Sequence, residues 1–255
     1  MKLETLLSRF DSYTRVARIY PAFLVITPVL WTIATLNPGL VMNNVARTVL
    51  SLLGTCGIVY LMASVARWTG KKVERRLIRE LGGGPTTILL RHSNRVIDPM
   101  TKARYHARLC ALCPDLLWPS VQDENARPRE ADDTYRSATR RLIELRRDAK
   151  WSLVHGENAS YGFRRNILGL RPIAFAIAIA CGLMTLGAWL NTTEALHLGV
   201  RQIPADIQAN WHLYALFSLD VVWIGIFASI VTPKFVTQAG REYGEALFRT
   251  LDSDP

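Results

Sequence analysis

Residues Trp211–Val231 read WHLYALFSLDVVWIGIFASIV, an apolar run of twenty-one residues in which Asp220 is the only acid. A helix needs about 20 apolar residues to cross the roughly 30 Å hydrocarbon core of a bilayer. The run therefore predicts a membrane-spanning helix. A carboxyl group at bilayer depth is energetically costly, so Asp220 is expected to face a partner helix or water rather than lipid.

Three more apolar runs carry almost no charge: Pro21–Leu36, Thr48–Ala66 and Pro172–Leu190. Together with the first run they predict four transmembrane helices arranged as two hairpins. Residues 1–36 also resemble a cleaved signal peptide in length. That interpretation is rejected because no small-residue cleavage site is evident and a second long apolar run follows at once.

Charge predicts the orientation of these helices. The segment Arg67–Arg171 contains 22 basic and 12 acidic residues, and this excess of ten equals the net charge of the whole chain. Because Lys and Arg accumulate on the cytoplasmic side, both ends and this middle segment are expected in the cytoplasm. The connections Asn37–Arg47 and Asn191–Asn210 are then the outside loops, and Trp189 and Trp211 flank the second of them, as interfacial aromatics do.

The predicted fold class is an all-α integral membrane protein with a mostly helical cytoplasmic domain between the two hairpins. Five segments follow from this plan: an amphipathic N-terminal segment (1–20), a first transmembrane hairpin (21–66), a basic cytoplasmic domain (67–171), a second transmembrane hairpin (172–231) and a cytoplasmic C-terminal tail (232–255).

Inside the basic domain, the helix of the second crossing is predicted to continue past Trp68 and to stop at Gly82-Gly83-Gly84-Pro85. Glycine caps a helix C-terminus, and proline cannot continue it. Thr86–Arg91 is expected to be a short strand or an extended connector. The remaining predicted elements are a helix at Thr101–Leu112, a proline-punctuated loop at Pro114–Arg129 and a helix at Ala131–Ala149.

A first candidate ligand site is the glycine-rich turn and the residues that follow it. Its backbone N–H groups, two hydroxyls and two guanidinium groups could hold an anion. The turn lacks the lysine of a P-loop, and the alternative is a helix terminator beside a solvated face. The candidate ligand-binding residues here are Thr86, Thr87, Arg91 and Arg95.

Two further groups combine aromatic rings, which can stack on bases, with guanidinium groups that can bind phosphate. They are the second and third predicted groups: the second is Arg104, Tyr105 and Arg108, and the third is Tyr161, Arg164 and Arg165. The alternative for the second predicted group is a core tyrosine beside solvated arginines. The alternative for the third is an anchor at the membrane interface.

Catalysis has little support in the sequence. Cys110-x-x-Cys113 lacks a second metal-ligand pair, and cysteines at this spacing on a helix are usually packing residues. His92, His106 and His155 could ligate zinc only through a tertiary arrangement that the sequence does not reveal. The chain is therefore expected to be a non-enzyme without a catalytic residue, a cofactor or a metal.

Within the membrane, Asp220 and nearby Ser218 have two possible roles. They could line an aqueous path, or they could hydrogen-bond across a helix interface and hold it together. Small residues in the apolar runs Thr48–Ala66 and Pro172–Leu190 would permit the close helix packing that membranes favour.

The segments RELGGGPTTILLRHS, KARYHARL and ENASYGFRRNILGLRPIA resemble small bacterial inner-membrane effectors of nucleotide-signal anti-phage systems, with the Hailong type nearest and retron effectors second. The resemblance implies a multi-pass protein of the bacterial inner membrane with a partner nucleotidyltransferase. In Hailong, an oligodeoxyadenylate holds a homo-oligomeric effector closed until infection removes it. No individual binding residue is transferred by this resemblance.

These observations predict a homo-oligomeric, ligand-gated channel or pore-forming effector in anti-phage defence. A symmetric ring is expected because four crossings are too few to enclose a wide path, and a tetramer is one candidate. Its partners would be further copies of itself, the lipid bilayer and a nucleotide or short oligonucleotide bound to the basic domain. The alternatives are a non-conducting scaffold that grips anionic lipid or a protein, and a small transporter.

Overall fold

The computed structural model describes residues 12–37, 45–192 and 203–253, and it describes side chains within 12–37, 57–191 and 206–253. Every regular element in these ranges is a helix, and none is a strand. The all-helical prediction is therefore confirmed for the part of the chain that the structure describes.

The main helices are α1 (Tyr20–Leu36), α2 (Val45–Leu81), α3 (Pro85–Leu90), α4 (Pro99–Leu112), α5 (Val121–Ala126), α6 (Pro128–Leu145), α7 (Ser152–Thr192), α8 (Ile203–Ala209), α9 (Trp211–Ser229) and α10 (Pro233–Arg249). A helical turn at Ser12–Thr14 and a π-helical turn at Arg15–Ile19 lead into α1. Short 3₁₀ turns at Ala149–Trp151 and Thr250–Ser253 precede α7 and follow α10.

Three helical stretches are long and apolar enough to cross a membrane: Ser12–Leu36, Ala149–Asn191 and Trp211–Ser229. They include three of the four predicted crossings. The fourth predicted crossing, Thr48–Ala66, lies in α2, but its side chains before residue 57 fall outside the described part. The fourth crossing and the two-hairpin layout therefore stay predictions.

The chain divides into two compact units. The polar unit comprises the described residues 12–17, 72–165 and 233–253. The apolar unit comprises the described residues of 18–71 and 166–232. Helices α2 and α7 each contribute residues to both units.

The polar unit has its own hydrophobic core, formed where α3, α4, α6 and α10 meet. Leu90, Leu109, Tyr135 and Leu142 are fully or almost fully buried in it. The residues expected to form a C-terminal tail belong to this core as well, because Leu247, Phe248 and Leu251 fill its remaining side. Residues 233–253 are thus an integral part of the polar unit.

The structure corrects two local predictions. Thr86–Arg91 is not a strand or extended connector, because Pro85 at the first turn starts the helix α3, and its Leu89 and Leu90 are buried. Pro114–Arg129 is not a continuous loop, because Ser120 and Asp123 form a reciprocal capping box that starts α5.

The other boundaries in this region agree more closely with prediction. Helix α2 ends at Leu81, and Gly82 follows with a φ of 73°, a conformation that glycine adopts without strain. The helix predicted at Thr101–Leu112 begins two residues earlier at Pro99, where the Asp98 side chain accepts a hydrogen bond from the Thr101 N–H. Helix α6 ends at Leu145, four residues before the predicted Ala149.

In the apolar unit, α1 packs on α9, and the rings of Trp31 and Trp223 meet edge to face at 6.1 Å. Helices α2 and α7 approach very closely, since a Cβ added to Gly169 would lie 2.6 Å from the Gly70 nitrogen. Large apolar side chains point outward from this unit, as lipid-facing residues do. Examples are Leu30, Ile33, Leu61, Ile179, Leu183, Met184, Leu219, Val222 and Ile226.

Candidate functional site

The loop between α3 and α4 is held in place by a buried carboxylate. The Oε2 atom of Glu124 accepts a hydrogen bond from the His92 N–H at 2.9 Å and one from the Tyr135 hydroxyl at 2.7 Å. Its Oε1 atom accepts from the Ser93 N–H at 3.3 Å. Burial alone would raise the pKa of Glu124, but these hydrogen bonds outweigh it and hold the pKa below its usual value.

A buried ammonium group holds the same loop through its carbonyl groups. The Lys102 Nζ donates to the Arg91 carbonyl oxygen at 2.7 Å and to the Asn94 carbonyl oxygen. Burial lowers the pKa of Lys102, Glu124 opposes that change, and the nearby positive charge of Arg95 adds to it. Glu124 and Lys102 thus fix the N–H and C=O groups of one loop from α5 and α4.

Two histidines complete the wall beside this loop. The Nε2 atom of His106 lies 2.8 Å from the Leu90 carbonyl oxygen, and that of His92 lies 3.2 Å from the Pro119 carbonyl oxygen. Because a carbonyl oxygen only accepts, each Nε2 must carry the proton. Burial lowers the pKa of His106 to about 4. Its neutral ring therefore has an Nδ1 lone pair available as an acceptor.

These side chains border a cavity of about 400 Å³. Arg95 lines it, is exposed, and makes no ion pair with another described residue. The cavity therefore combines one free guanidinium, a fixed ammonium, two imidazole rings, of which that of His106 is neutral, and two amide side chains. The lining residues that carry these groups are Arg95, Lys102, His92, His106, Asn94 and Asn125.

The first predicted group is the one after the glycine-rich turn: Thr86, Thr87, Arg91 and Arg95. Of these four residues, Arg95 lines the cavity. Arg91 instead forms a two-point ion pair with Asp132, with nitrogen–oxygen distances of 2.6 and 2.9 Å, and also donates to the Gly82 carbonyl oxygen at 2.5 Å. Thr87 is buried, and Thr86 lies beside Gly244 in the packing of α3 against α10.

The second predicted group, Arg104, Tyr105 and Arg108, contacts the end of α10 and the 3₁₀ turn Thr250–Ser253. Arg104 forms an ion pair with Asp252 at 2.8 Å, and Arg108 donates to the Leu251 carbonyl oxygen at 2.6 Å. Tyr105 is buried, and its ring lies 6.3 Å from that of Phe248. These contacts attach the C-terminal turn to α4, and the ligand-binding role stays a prediction.

The third predicted group also has internal partners. Arg165 forms an ion pair with Glu74 at 2.8 Å, and the Tyr161 hydroxyl donates to the same carboxylate at 3.2 Å. Arg164 lies 3.5 Å from Glu242. Any ligand at Arg164 or Arg165 would have to compete with a carboxylate, so a role for this group in binding stays a prediction.

Asp220 and Ser218 are not brought together. Ser218 is exposed, and its hydroxyl donates to the Tyr214 carbonyl oxygen within α9 at 2.8 Å. Asp220 is only 2% exposed, and neither of its carboxyl oxygens has a hydrogen-bond partner among the described residues. Two residues apart on a helix, these side chains lie on different faces.

The sequence did not identify Lys102, Glu124 or Tyr135 as site residues. Each lies on a different helix, and only tertiary packing joins them to the loop at residues 91–98. Of the three histidines that could ligate zinc, His92 and His106 do lie together, with ring centroids 4.8 Å apart. Within the described residues, however, no group of three or more His, Cys, Asp or Glu side chains could hold a metal ion.

Comparisons with known proteins give no relative for this chain: no family model matches it, and no curated sequence or solved structure is significantly similar to it.

Proposed function

We propose that this chain is a membrane effector whose basic polar unit binds a phosphate-bearing ligand, a nucleotide or short oligonucleotide, in the cavity beside the loop at residues 91–98. Binding there would control a path through a homo-oligomeric assembly in the bacterial inner membrane. The anti-phage role and the partner nucleotidyltransferase belong to the same proposal, through the family resemblance described above.

The observation that supports the proposal best is the free guanidinium of Arg95 beside a pre-organised polar cavity. All five of the other candidate arginines already have a carboxylate or carbonyl partner, whereas Arg95 has no ion-pair partner among the described residues. Lys102 and Arg95 are also close enough that their charges interact. Two neighbouring cations of this kind favour an anion, and Glu124, the acid among the described residues that line the cavity, partly offsets them.

The remaining cavity groups suit a nucleobase. The unprotonated Nδ1 of His106 can accept a hydrogen bond from an exocyclic amine, and the amides of Asn94 and Asn125 can both donate and accept. A cavity of about 400 Å³ falls within the usual range for small-molecule sites. A nucleotide could therefore place its phosphate at Arg95 and its base deeper inside.

The first test measures binding to the full chain in lipid nanodiscs, with tetradeoxyadenylate, ATP and inorganic phosphate as probes. Replacing Arg95 with Ala is expected to weaken binding of the preferred probe roughly tenfold, the cost of one charge-assisted contact. The salt dependence of the binding constant should also become shallower, by roughly one phosphate contact.

Arg129→Ala is the matched control. Arg129 is exposed on α6 and does not line the cavity, yet its loss removes the same formal charge. Its expected effect is less than about threefold, because long-range attraction alone is screened by salt. Equal losses in the two variants would show diffuse attraction to the basic unit and would refute a site at Arg95.

A second test measures ion flux in liposomes that contain the full chain, with and without the probe that binds best. The proposal requires flux in one of the two states and a different flux in the other. Absence of flux in both states would refute a conducting role.

The alternative function, a non-conducting membrane-anchored binding module, is favoured by one observation. Asp220, the acid of the apolar run, is enclosed by helices of its own subunit rather than exposed along a path. Under this alternative the Arg95 result would stand, while flux would be absent with every probe.

A further inference from the structure

Within the described part of the chain, Asp220 has no hydrogen-bonding or cationic partner that would stabilise its charge. It lies midway along α9, and both carboxyl oxygens are fully buried without a hydrogen-bond partner among the described residues. Buried polar groups are nearly always paired, so an unpaired carboxyl calls for a physical explanation.

The side chains around Asp220 come from α1 and α7. Cys181 of α7 is close enough to interact with both the Thr32 hydroxyl and the Asp220 carboxyl. The hydroxyls next to this thiol are already used within their own helices, since Thr32 donates to the Pro28 carbonyl oxygen and Thr185 to that of Cys181. The described side chain that interacts with the carboxyl is thus a weakly polar thiol, which supplies no positive charge.

No charged side chain among the described residues of the apolar unit pairs with Asp220. Arg171 donates to the Ala228 carbonyl oxygen, eight residues further along α9, or about 12 Å along the helix axis. Among the described residues, the titratable group that interacts with Asp220 is Cys181 of α7. The described part of α1 has Tyr20, which is exposed at the start of that helix.

Asp206 in the same unit provides a contrast. It is also buried, at 8% exposure, yet it accepts hydrogen bonds from the Tyr214 hydroxyl at 2.6 Å, the Trp189 Nε1 at 2.8 Å and the Asn210 Nδ2 at 2.7 Å. The Tyr214 hydrogen bond is the main reason that the pKa of Asp206 lies below its usual value. The fold therefore supports an ionised carboxylate at Asp206, and it supplies no such support at Asp220.

We propose that Asp220 is a proton-binding site, and that the packed helices of the apolar unit hold its carboxyl group in the neutral, protonated form. An unpaired carboxylate in an apolar interior is far more costly than the neutral acid, which carries only the smaller cost of burying uncharged polar atoms. Ionisation would then require water or a cation to enter between α1, α7 and α9. This proposal does not depend on the ligand of the polar unit.

Dicyclohexylcarbodiimide tests the proposal, because this apolar reagent partitions into membranes and reacts with protonated carboxyl groups. The acid adds across a C=N bond of the reagent, and the adduct rearranges to a stable N-acylurea that retains the whole reagent mass. The full chain in lipid nanodiscs would be treated at pH 7 and digested, and the modified acids identified by mass spectrometry.

The expected result is labelling of Asp220 at pH 7 with little change between pH 5 and pH 7. A carboxyl of ordinary pKa is protonated in only about one molecule in a thousand at pH 7, so Asp206 should be labelled at least about a hundredfold more slowly. Asp220→Asn should remove the labelled peptide. Infrared spectra provide a readout without the reagent: the wild-type chain should show the C=O band of a buried protonated carboxyl, and Asp220→Asn should lack it.

Three results would overturn the proposal. Labelling of Asp220 that falls about tenfold per pH unit above pH 4 would identify an ordinary, ionised carboxylate. Protection by sodium or potassium at constant pH would identify a metal-cation site instead. Absence of the infrared band in the wild-type chain would exclude a neutral acid, whether or not Asp220→Asn folds.

Discussion

At the residue scale, burial acts on two neighbouring ionisable groups with different outcomes. His106 and Glu124 are 6% and 7% exposed and lie on the same cavity wall. Glu124 remains ionised because three donors point at it, whereas His106 has one carbonyl partner and remains neutral. The hydrogen-bond partners, and not burial alone, decide which charge state the fold holds.

His106 leads to a prediction for the pH dependence of stability. Its pKa falls from an ordinary value of 6.5 to about 4 in the folded chain, so the unfolded chain binds the proton more tightly. Stability should therefore be lost as pH falls from about 6.5 to about 4, by about 3 kcal/mol at most. The depressed pKa of Glu124 acts in the same direction at the acidic end.

The measurement is the unfolding of the full chain in detergent between pH 8 and pH 4, compared with His106→Gln. The glutamine amide can still donate to the Leu90 carbonyl but cannot bind a proton in this range. The variant should therefore show a flatter profile between pH 6.5 and pH 4.5. An identical slope in both proteins would show that His106 does not carry the effect.

At the element scale, the packing of α10 on α3 depends on two glycines one helical turn apart. A Cβ on Gly240 would lie 2.7 Å from the Pro85 Cγ, and one on Gly244 would nearly overlap the Leu89 side chain at 2.5 Å. The proline ring is rigid, while the leucine end can rotate. Gly240 is therefore the less tolerant position, although the sequence alone would describe both as ordinary helix-weakening glycines.

Gly240→Ala is expected to destabilise the chain by about 1–2 kcal/mol, because overpacking against Pro85 exceeds the gain in helix propensity. Gly156→Ala is the matched control, since it also lies within a helix but has no atom within 4 Å of the added Cβ. It should stabilise the chain by about 0.5–1 kcal/mol. Thermal unfolding of both variants tests the pair, and similar shifts of the same sign would contradict the proposed close packing.

At the scale of the whole molecule, the number of crossings and the position of the two ends are linked. Both ends lie on the same side of the membrane only if the number of crossings is even. Three helices in the described part of the chain are long and apolar enough to cross a membrane, and the apolar run at Thr48–Ala66 predicts a fourth crossing.

Reporter fusions in bacterial cells test this topology. A fluorescent protein fused after Pro255 should be active in the cytoplasm, and alkaline phosphatase inserted near residue 200 should be active outside it. The segment at Arg67–Arg171 should behave as cytoplasmic in the same assay. An exported reporter at Pro255, with the other results unchanged, would show an odd number of crossings and refute the two-hairpin plan.

Local and one-dimensional patterns determined three features of this protein. Apolar runs predicted three helices that are long and apolar enough to cross a membrane, glycine and proline predicted the end of α2, and charge counts located the basic segment. The sequence could not show which arginines have partners, because Asp132, Asp252, Glu74 and Glu242 are distant from them along the chain and meet them only on folding. It likewise identified Asp220 as a costly acid but could not show what surrounds it. Tertiary structure decided this, because the free energy of a buried charge depends on donors supplied by other helices, and packing brings none to Asp220 among the described residues.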